Sequence, residues 1–312
     1  MFRPEGAYAA LVTPFRADGE QDLPGLAALV EHAVAGGIAG LCPLGGTGEP
    51  LSQSLDEHRA VIDATSAAAA GRVPVLVGCL KPDPAEVVAV ARHAKAAGAE
   101  AVMLIPPYFV QAKPAHIHRH FLHLAERIEL PLVLFNSPGR SGLKLDAEQI
   151  LRLVEAIPHL VGIKEASGDL QLCGELARAA PQRFALLQGF DELILPTLAI
   201  GGAGAVVSLG CLVPRAVAGI QDAWLAGDLA RARMLQAALL PLARAVYAEP
   251  NPAPLKRALA LLRLPAGPTR PPLFAVAPET EAALGQALAA FRAATDDGAT
   301  RSNPTRKAQR AR

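Results

Sequence analysis

Aromatic side chains are scarce in this 312-residue chain, at 4%. Stacking platforms for single-stranded nucleic acid are therefore not expected. A charge surplus is also missing: 30 Lys and Arg stand against 29 Asp and Glu, a formal net charge of +1. That balance argues against a nucleic-acid or membrane partner. No stretch approaches the ~18 uninterrupted apolar residues of a membrane helix. The opening segment MFRPEGAYAALVTPF has no basic start, long apolar stretch or cleavage site. A cytoplasmic protein is expected.

Metal-ligand patterns are lacking too. Cys42, Cys79, Cys173 and Cys211 are scattered among apolar residues, which reads as buried free thiols in a reducing compartment. His116, His118, His120 and His123 cluster, but their spacing covers more than one face of a helix and no acidic ligand joins them. A solvated helix surface is the expectation, and no metal.

What is present is a large apolar fraction, 51%, in two alternating periods. Short apolar runs lie at Tyr8–Val12, Gly40–Leu44, Val73–Gly78, Ala101–Ile105, Leu132–Phe135, Val161–Lys164, Phe184–Gln188 and Ala205–Leu209. Between them run amphipathic stretches such as Leu23–Ala35, Ser54–Ala70, Pro84–Ala97 and Ala147–Ala156. Asp22, Ser54, Asp83 and Asp146 stand where helix N-caps belong. Strand–helix alternation predicts parallel pairing with helical crossovers. Eight units fit an α/β fold of the (β/α)8 TIM-barrel type over residues 1–227. A doubly wound open sheet is the alternative, but Thr13-Pro14-Phe15-Arg16 is no phosphate loop. Residues 228–295 read as a C-terminal helical domain, with helices at Leu229–Tyr247, after Asn251-Pro252 and near Glu279–Ala294. The polar, basic tail 296–312 is expected to be disordered.

Chemistry in such a barrel gathers at the carboxyl ends of the strands. The run Leu160-Val161-Gly162-Ile163 ends in Lys164. Half desolvated there, its amine would lose its proton readily and attack a ketone to give a Schiff base. On this segment alone, a lysine that snorkels to water is the commoner outcome. The second strand candidate ends in Gly45-Gly46-Thr47-Gly48-Glu49, whose N–H groups can cradle a carboxylate. A plain glycine turn is an equal reading. The fifth ends in Asn136-Ser137-Pro138-Gly139-Arg140, and Arg140 offers a fork for a second carboxylate.

Together GGTGE, FNSPGRSG, GIKEASGD and NPAPLKRALALLRLPAGPTRPPL resemble the dihydrodipicolinate synthase / N-acetylneuraminate lyase family over roughly residues 5 to 295, closer to the synthase branch. The resemblance implies a barrel with a helical C-terminal domain, usually a homotetramer. It implies a Schiff base between a strand-six lysine and pyruvate or another 2-keto acid, with no cofactor. By position it assigns Lys164 to the Schiff base, and Gly46 and Thr47 to the loop holding the keto-acid carboxylate. It assigns Arg140 to the second substrate, and Gly189 and Val207 to the keto-acid pocket. The family's proton-relay Tyr is replaced by Phe135, and Gly46 and Phe109 stand where the synthase branch has Thr and a second Tyr. Only Thr47 keeps a hydroxyl in that set, with Tyr108, Ser137, Ser141 and Glu49 as candidate substitutes.

The expected function is thus a Schiff-base lyase or aldolase on a 2-keto acid with an altered relay. A true 4-hydroxy-tetrahydrodipicolinate synthase, joining pyruvate and aspartate semialdehyde, is one alternative. A non-catalytic keto-acid binder is the other. The expected partner is a small-molecule 2-keto acid, and a homo-oligomer of two or four copies is expected.

Overall fold

The eight apolar runs form eight parallel strands. They are β1 (Gly6–Ala10), β2 (Gly40–Cys42), β3 (Leu76–Cys79), β4 (Ala101–Leu104), β5 (Leu132–Asn136), β6 (Leu160–Glu165), β7 (Ala185–Gln188) and β8 (Gly204–Val207). The computed structural model describes residues 2–110 and 112–300, the last five by backbone alone. The strand order is β2-β1-β8-β7-β6-β5-β4-β3. A parallel bridge from Leu41 to Val75 joins the two ends of this order, and the Leu41 N–H donates to Pro74 O at 2.9 Å. The sheet therefore closes into a (β/α)8 barrel, and the open-sheet alternative falls.

The helices between strands are α1 (Leu23–Ala35), α2 (Leu55–Ala69), α3 (Pro84–Ala96), α4 (Pro114–Ala125), α5 (Pro138–Ser141), α6 (Ala147–Ala156), α7 (Leu170–Ala179) and α8 (Ile194–Ala199). After β8 come α9 (Leu209–Leu212), α10 (Pro214–Leu225), α11 (Leu229–Val246), α12 (Ala253–Leu261) and α13 (Pro278–Thr300). Each of Asp22, Ser54, Asp83 and Asp146 accepts a first-turn backbone N–H, as the spacing predicts. Helix α13 reaches Thr300, past the Ala294 expected, so the start of the predicted disordered tail is helical. Residues 301–312 of that tail lie outside the described residues.

Alternation along the strands sorts side chains into two cores. Tyr8, Cys42, Leu76, Met103, Val133, Phe135, Val161, Leu187 and Val206 fill the barrel interior. Ala9, Leu41, Val77, Val102, Leu134, Ile163, Leu186 and Val207 face the helices. Each large side chain so buried contributes about 1.5–3 kcal/mol. One strand breaks the alternation. Leu132 pairs with Leu160, but Val133 pairs with Gly162, so β6 carries one extra residue. Val161 and Lys164 therefore both face inward, while Ile163 faces the helices.

Among the described residues, no helix is long and apolar enough to cross a membrane. None of their His, Cys, Asp and Glu side chains gather in threes that could hold a metal ion. The four cysteines are free and buried.

Candidate active site

Lys164 ends up inside the barrel mouth, 6% exposed, with Nζ 4.6 Å from the centre of the Phe135 ring. Burial, the largest influence, holds its ammonium below the ordinary lysine value. The Arg140 charge adds to this, while Cys42 and Asp191 oppose it. Burial pushes the Cys42 thiol up to about 11, so its opposing charge appears only at high pH.

The loop after β2 is a single 3-10 turn over Gly46–Gly48. Its first N–H groups have no partner within the turn. Four contacts fix it from behind. The Gly48 carbonyl accepts from Thr13 Oγ1 at 2.8 Å and Gln53 Nε2 at 2.6 Å. Glu49, left-handed at φ 53°, reaches away from the cavity to a buried ion pair with Lys256 Nζ at 2.6 Å. Its other oxygen accepts the Arg270 backbone N–H at 2.9 Å. Glu49 is thus an anchor of the loop. Arg140, from α5, lies over Gly46, where an added Cβ would stand 2.9 Å from its Cζ.

A cavity of about 80 Å³ is lined by Gly46, Thr47, Phe135, Arg140, Lys164 and Gly189, six residues singled out from sequence. At ~10–15 Å³ per water-sized probe, it has room for a three- or four-carbon acid. Ser137, Ala166, Phe190, Ser208, Tyr247 and Asn251 complete the lining. Val207 does not line it; its side chain belongs to the core under the helices, and the next residue, Ser208, takes the place at the cavity. Outside lies a wider vestibule of about 510 Å³, sharing Gly46, Arg140 and Asn251 with the inner cavity. Its walls include Leu51, Leu80, Ile105, Pro252, Pro272 and Leu273.

The remaining hydroxyl candidates divide. Tyr108 stands in the vestibule and donates to Leu80 O at 3.1 Å. Ser141 bonds Ser137 O at 3.0 Å and leaves only Ser137 at the cavity. Phe109 is 97% exposed and left-handed at φ 73°, away from this chain's own cavity.

Sequence reasoning missed Tyr247 and Asn251, which arrive from the end of α11 and the turn after it. Tyr247 Oη stands 2.9 Å from Ser208 Oγ and 3.1 Å from Asp191 Oδ2. Ser208 Oγ is 3.1 Å from Thr47 Oγ1, which also accepts from Asn251 Nδ2 at 3.1 Å. Asp191 is fully buried, and its Oδ1 accepts the Leu209 N–H at 3.0 Å. Burial, against the pull of that bond and of Tyr247, pushes its carboxyl up to about 7. Burial and the Asp191 charge raise Tyr247 well above the ordinary phenol value.

Comparison with known proteins agrees with this fold. The model of the dihydrodipicolinate synthetase family matches residues 3–291. A 4-hydroxy-tetrahydrodipicolinate synthase of Methanopyrus kandleri is 37% identical over 288 residues, 92% of this chain and 96% of the relative. One of Sorangium cellulosum is 40% identical over 284 residues, 91% of this chain and 94% of the relative. The solved 4-hydroxy-tetrahydrodipicolinate synthase of Methylacidiphilum fumariolicum superposes with a TM-score of 0.91 at 32% identity, covering 95% of this chain and 98% of that one. Barrel, helical extension and a match over residues 3–291 together make this chain a member of the dihydrodipicolinate synthetase family and a lyase.

Proposed function

We propose that the chain is a Schiff-base-forming lyase or aldolase whose Lys164 attacks the ketone of pyruvate or another small 2-keto acid. One observation carries this: a buried amine, held toward its neutral form, opens into a cavity sized for such an acid. A neutral amine keeps its lone pair for attack on carbon. The N–H groups of Gly46 and Thr47 hold the keto-acid carboxylate at the start of the turn. No metal or organic cofactor takes part, because the covalent lysine adduct itself withdraws electrons. Arg140, shared by cavity and vestibule, receives a carboxylate of the second substrate.

A second reading is 4-hydroxy-tetrahydrodipicolinate synthase, with aspartate semialdehyde as that second substrate. The names of the relatives and the position of Arg140 favour it. Phe135 and Gly46 weaken it, since neither side chain can pass a proton. The chain is proposed to work as a homo-oligomer. Leu51, Phe109 and Val110, on the loops after β2 and β4, are 63%, 97% and 65% exposed, apolar surface that a second copy would cover.

The test is reductive trapping. Cyanoborohydride with pyruvate should add a covalent mass at Lys164, and Lys164→Arg should abolish it, because a guanidinium stays charged. Labelling that persists in the variant would place the nucleophile elsewhere.

A further inference from the structure

We propose that Asp191, Tyr247, Ser208 and Thr47 form a proton wire that serves as acid and base at the Lys164 cavity. The proposal rests on the Schiff-base reading of Lys164. Phe135, the ring beneath Nζ, has no proton to exchange. The wire brings hydroxyls to the same cavity from β2, β8 and α11.

The hydrogen bonds allow two states. Thr47 Oγ1 accepts from the Asn251 amide in both. With Asp191 ionised, Tyr247 donates to Asp191, Ser208 to Tyr247 and Thr47 to Ser208. Every hydroxyl proton then points along the wire. With Asp191 protonated, the order reverses: Asp191 donates to Tyr247, Tyr247 to Ser208 and Ser208 to Thr47. Thr47 Oγ1 now has both lone pairs occupied, and its own proton is free to point into the cavity. One proton gained at Asp191 thus appears as one donor at Thr47.

That matches what imine formation demands. Lys164 Nζ bonds the ketone carbon, and the carbonyl electrons move to oxygen. The oxygen takes the Thr47 proton, and each upstream hydroxyl shifts one proton, ending with Asp191 ionised. The nitrogen, cationic after the attack, gives up one of its protons to water and leaves the neutral carbinolamine. A second proton at the oxygen, passed after Asp191 is recharged from water, lets it leave as water and gives the iminium. The reverse shift accepts the proton that leaves the adjacent carbon as the enamine forms. A carboxyl at about 7 can run both directions near neutral pH. The charged and titratable groups around it are Glu192 on its own turn, which raises it, and Lys164 and Tyr247 from β6 and α11, which lower it. Arg140 faces Tyr247 in turn.

The experiment compares the purified full-length protein with Tyr247→Phe, Ser208→Ala and Asp191→Asn. Two rates are read with pyruvate across neutral pH: cyanoborohydride trapping by mass, and deuterium uptake at the methyl carbon by NMR. Each single variant should slow both rates by roughly 10²–10⁴, the usual worth of a positioned acid–base group. The Tyr247→Phe/Ser208→Ala double variant should lose little more than the worse single, because the groups act as a unit. Asp191→Asn should also erase a rate inflection near pH 7, which a merely structural change would leave in place. Variants that trap and exchange at the parent rate with the parent pH profile would overturn the wire while leaving the Schiff base standing. No trapping in the parent protein would overturn both.

Discussion

Val133 pairs with Gly162 and not with Val161, and that one skipped residue turns Lys164 into the barrel. Counted strictly by twos from the outward-facing Leu160, Lys164 would point at the helices and Ile163 inward. The bulge reverses this, and Gly162 makes it possible. A Cβ there would stand 2.8 Å from Ala185 O and 3.3 Å from Pro4 Cγ.

Gly162→Ala should therefore press β6 off β7. The expected cost is about 1–3 kcal/mol, read as a lower denaturation midpoint. Trapping of pyruvate at Lys164 should fall as well, because the amine is re-aimed. An alanine variant with parent stability and parent trapping rate would show that the bulge is held by something else.

Condensation of pyruvate with aspartate semialdehyde should be weak in the parent protein. Phe135→Tyr puts a hydroxyl on the ring beneath Lys164 Nζ and should raise the rate. Gly46→Thr should not help in the same way. Its side chain would start 2.9 Å from Cζ and Nε of Arg140 and push the guanidinium off the turn. The expected result is a KM for a carboxylate-bearing second substrate higher by roughly 10-fold, the order of one charge-assisted hydrogen bond. Steady-state kinetics of both variants decide this; a Gly46→Thr enzyme with unchanged KM would refute the Arg140 assignment.

Lys256→Met should destabilise the protein by about 3–5 kcal/mol, because it strands the buried Glu49 carboxylate. Lys256 also donates to Pro268 O at 2.8 Å and sits 4.3 Å over the Phe15 ring, so it ties helical extension to barrel. Adding Glu49→Gln should recover part of the loss, since no charge is then left unpaired. Urea denaturation of the single and double variants measures this, and equal midpoints would mean the charge is not the cause.

His58 should make the fold acid-sensitive. It is fully buried, with Nε2 2.8 Å from Pro50 O, and burial lowers it from 6.5 to about 4. The folded state keeps it neutral, while the unfolded chain takes up a proton below pH 6.5. Stability is therefore lost as pH falls from about 6.5 to about 4, by up to about 3 kcal/mol, and no further below that. His58→Gln, which can still donate to Pro50, should flatten that limb of a plot of thermal midpoint against pH. A variant with the same acid limb would assign the loss to carboxylates.

Much of this protein was legible in its linear order. Apolar runs of strand length alternating with capped amphipathic stretches specify parallel strands with helical crossovers, because each pattern buries only one way. Asp22, Ser54, Asp83 and Asp146 mark helix starts locally, through bonds within their own first turns. Lys164, Thr47 and Arg140 were visible because they stand at or just after the carboxyl ends of strands, and those ends share one face of the barrel. The tertiary structure alone decided three things. It turned Lys164 inward by a bulge, a matter of pairing between β5 and β6 that no single strand encodes. It placed Val207 under the helices and Ser208 at the cavity, where the strand gives way to α9. It carried Tyr247 from the end of a helix outside the barrel to within hydrogen-bond distance of Ser208 and Asp191. Periodicity reports which face of an element is buried, but contact between elements 39 and 56 residues apart depends on how they pack, and packing is a property of the folded whole.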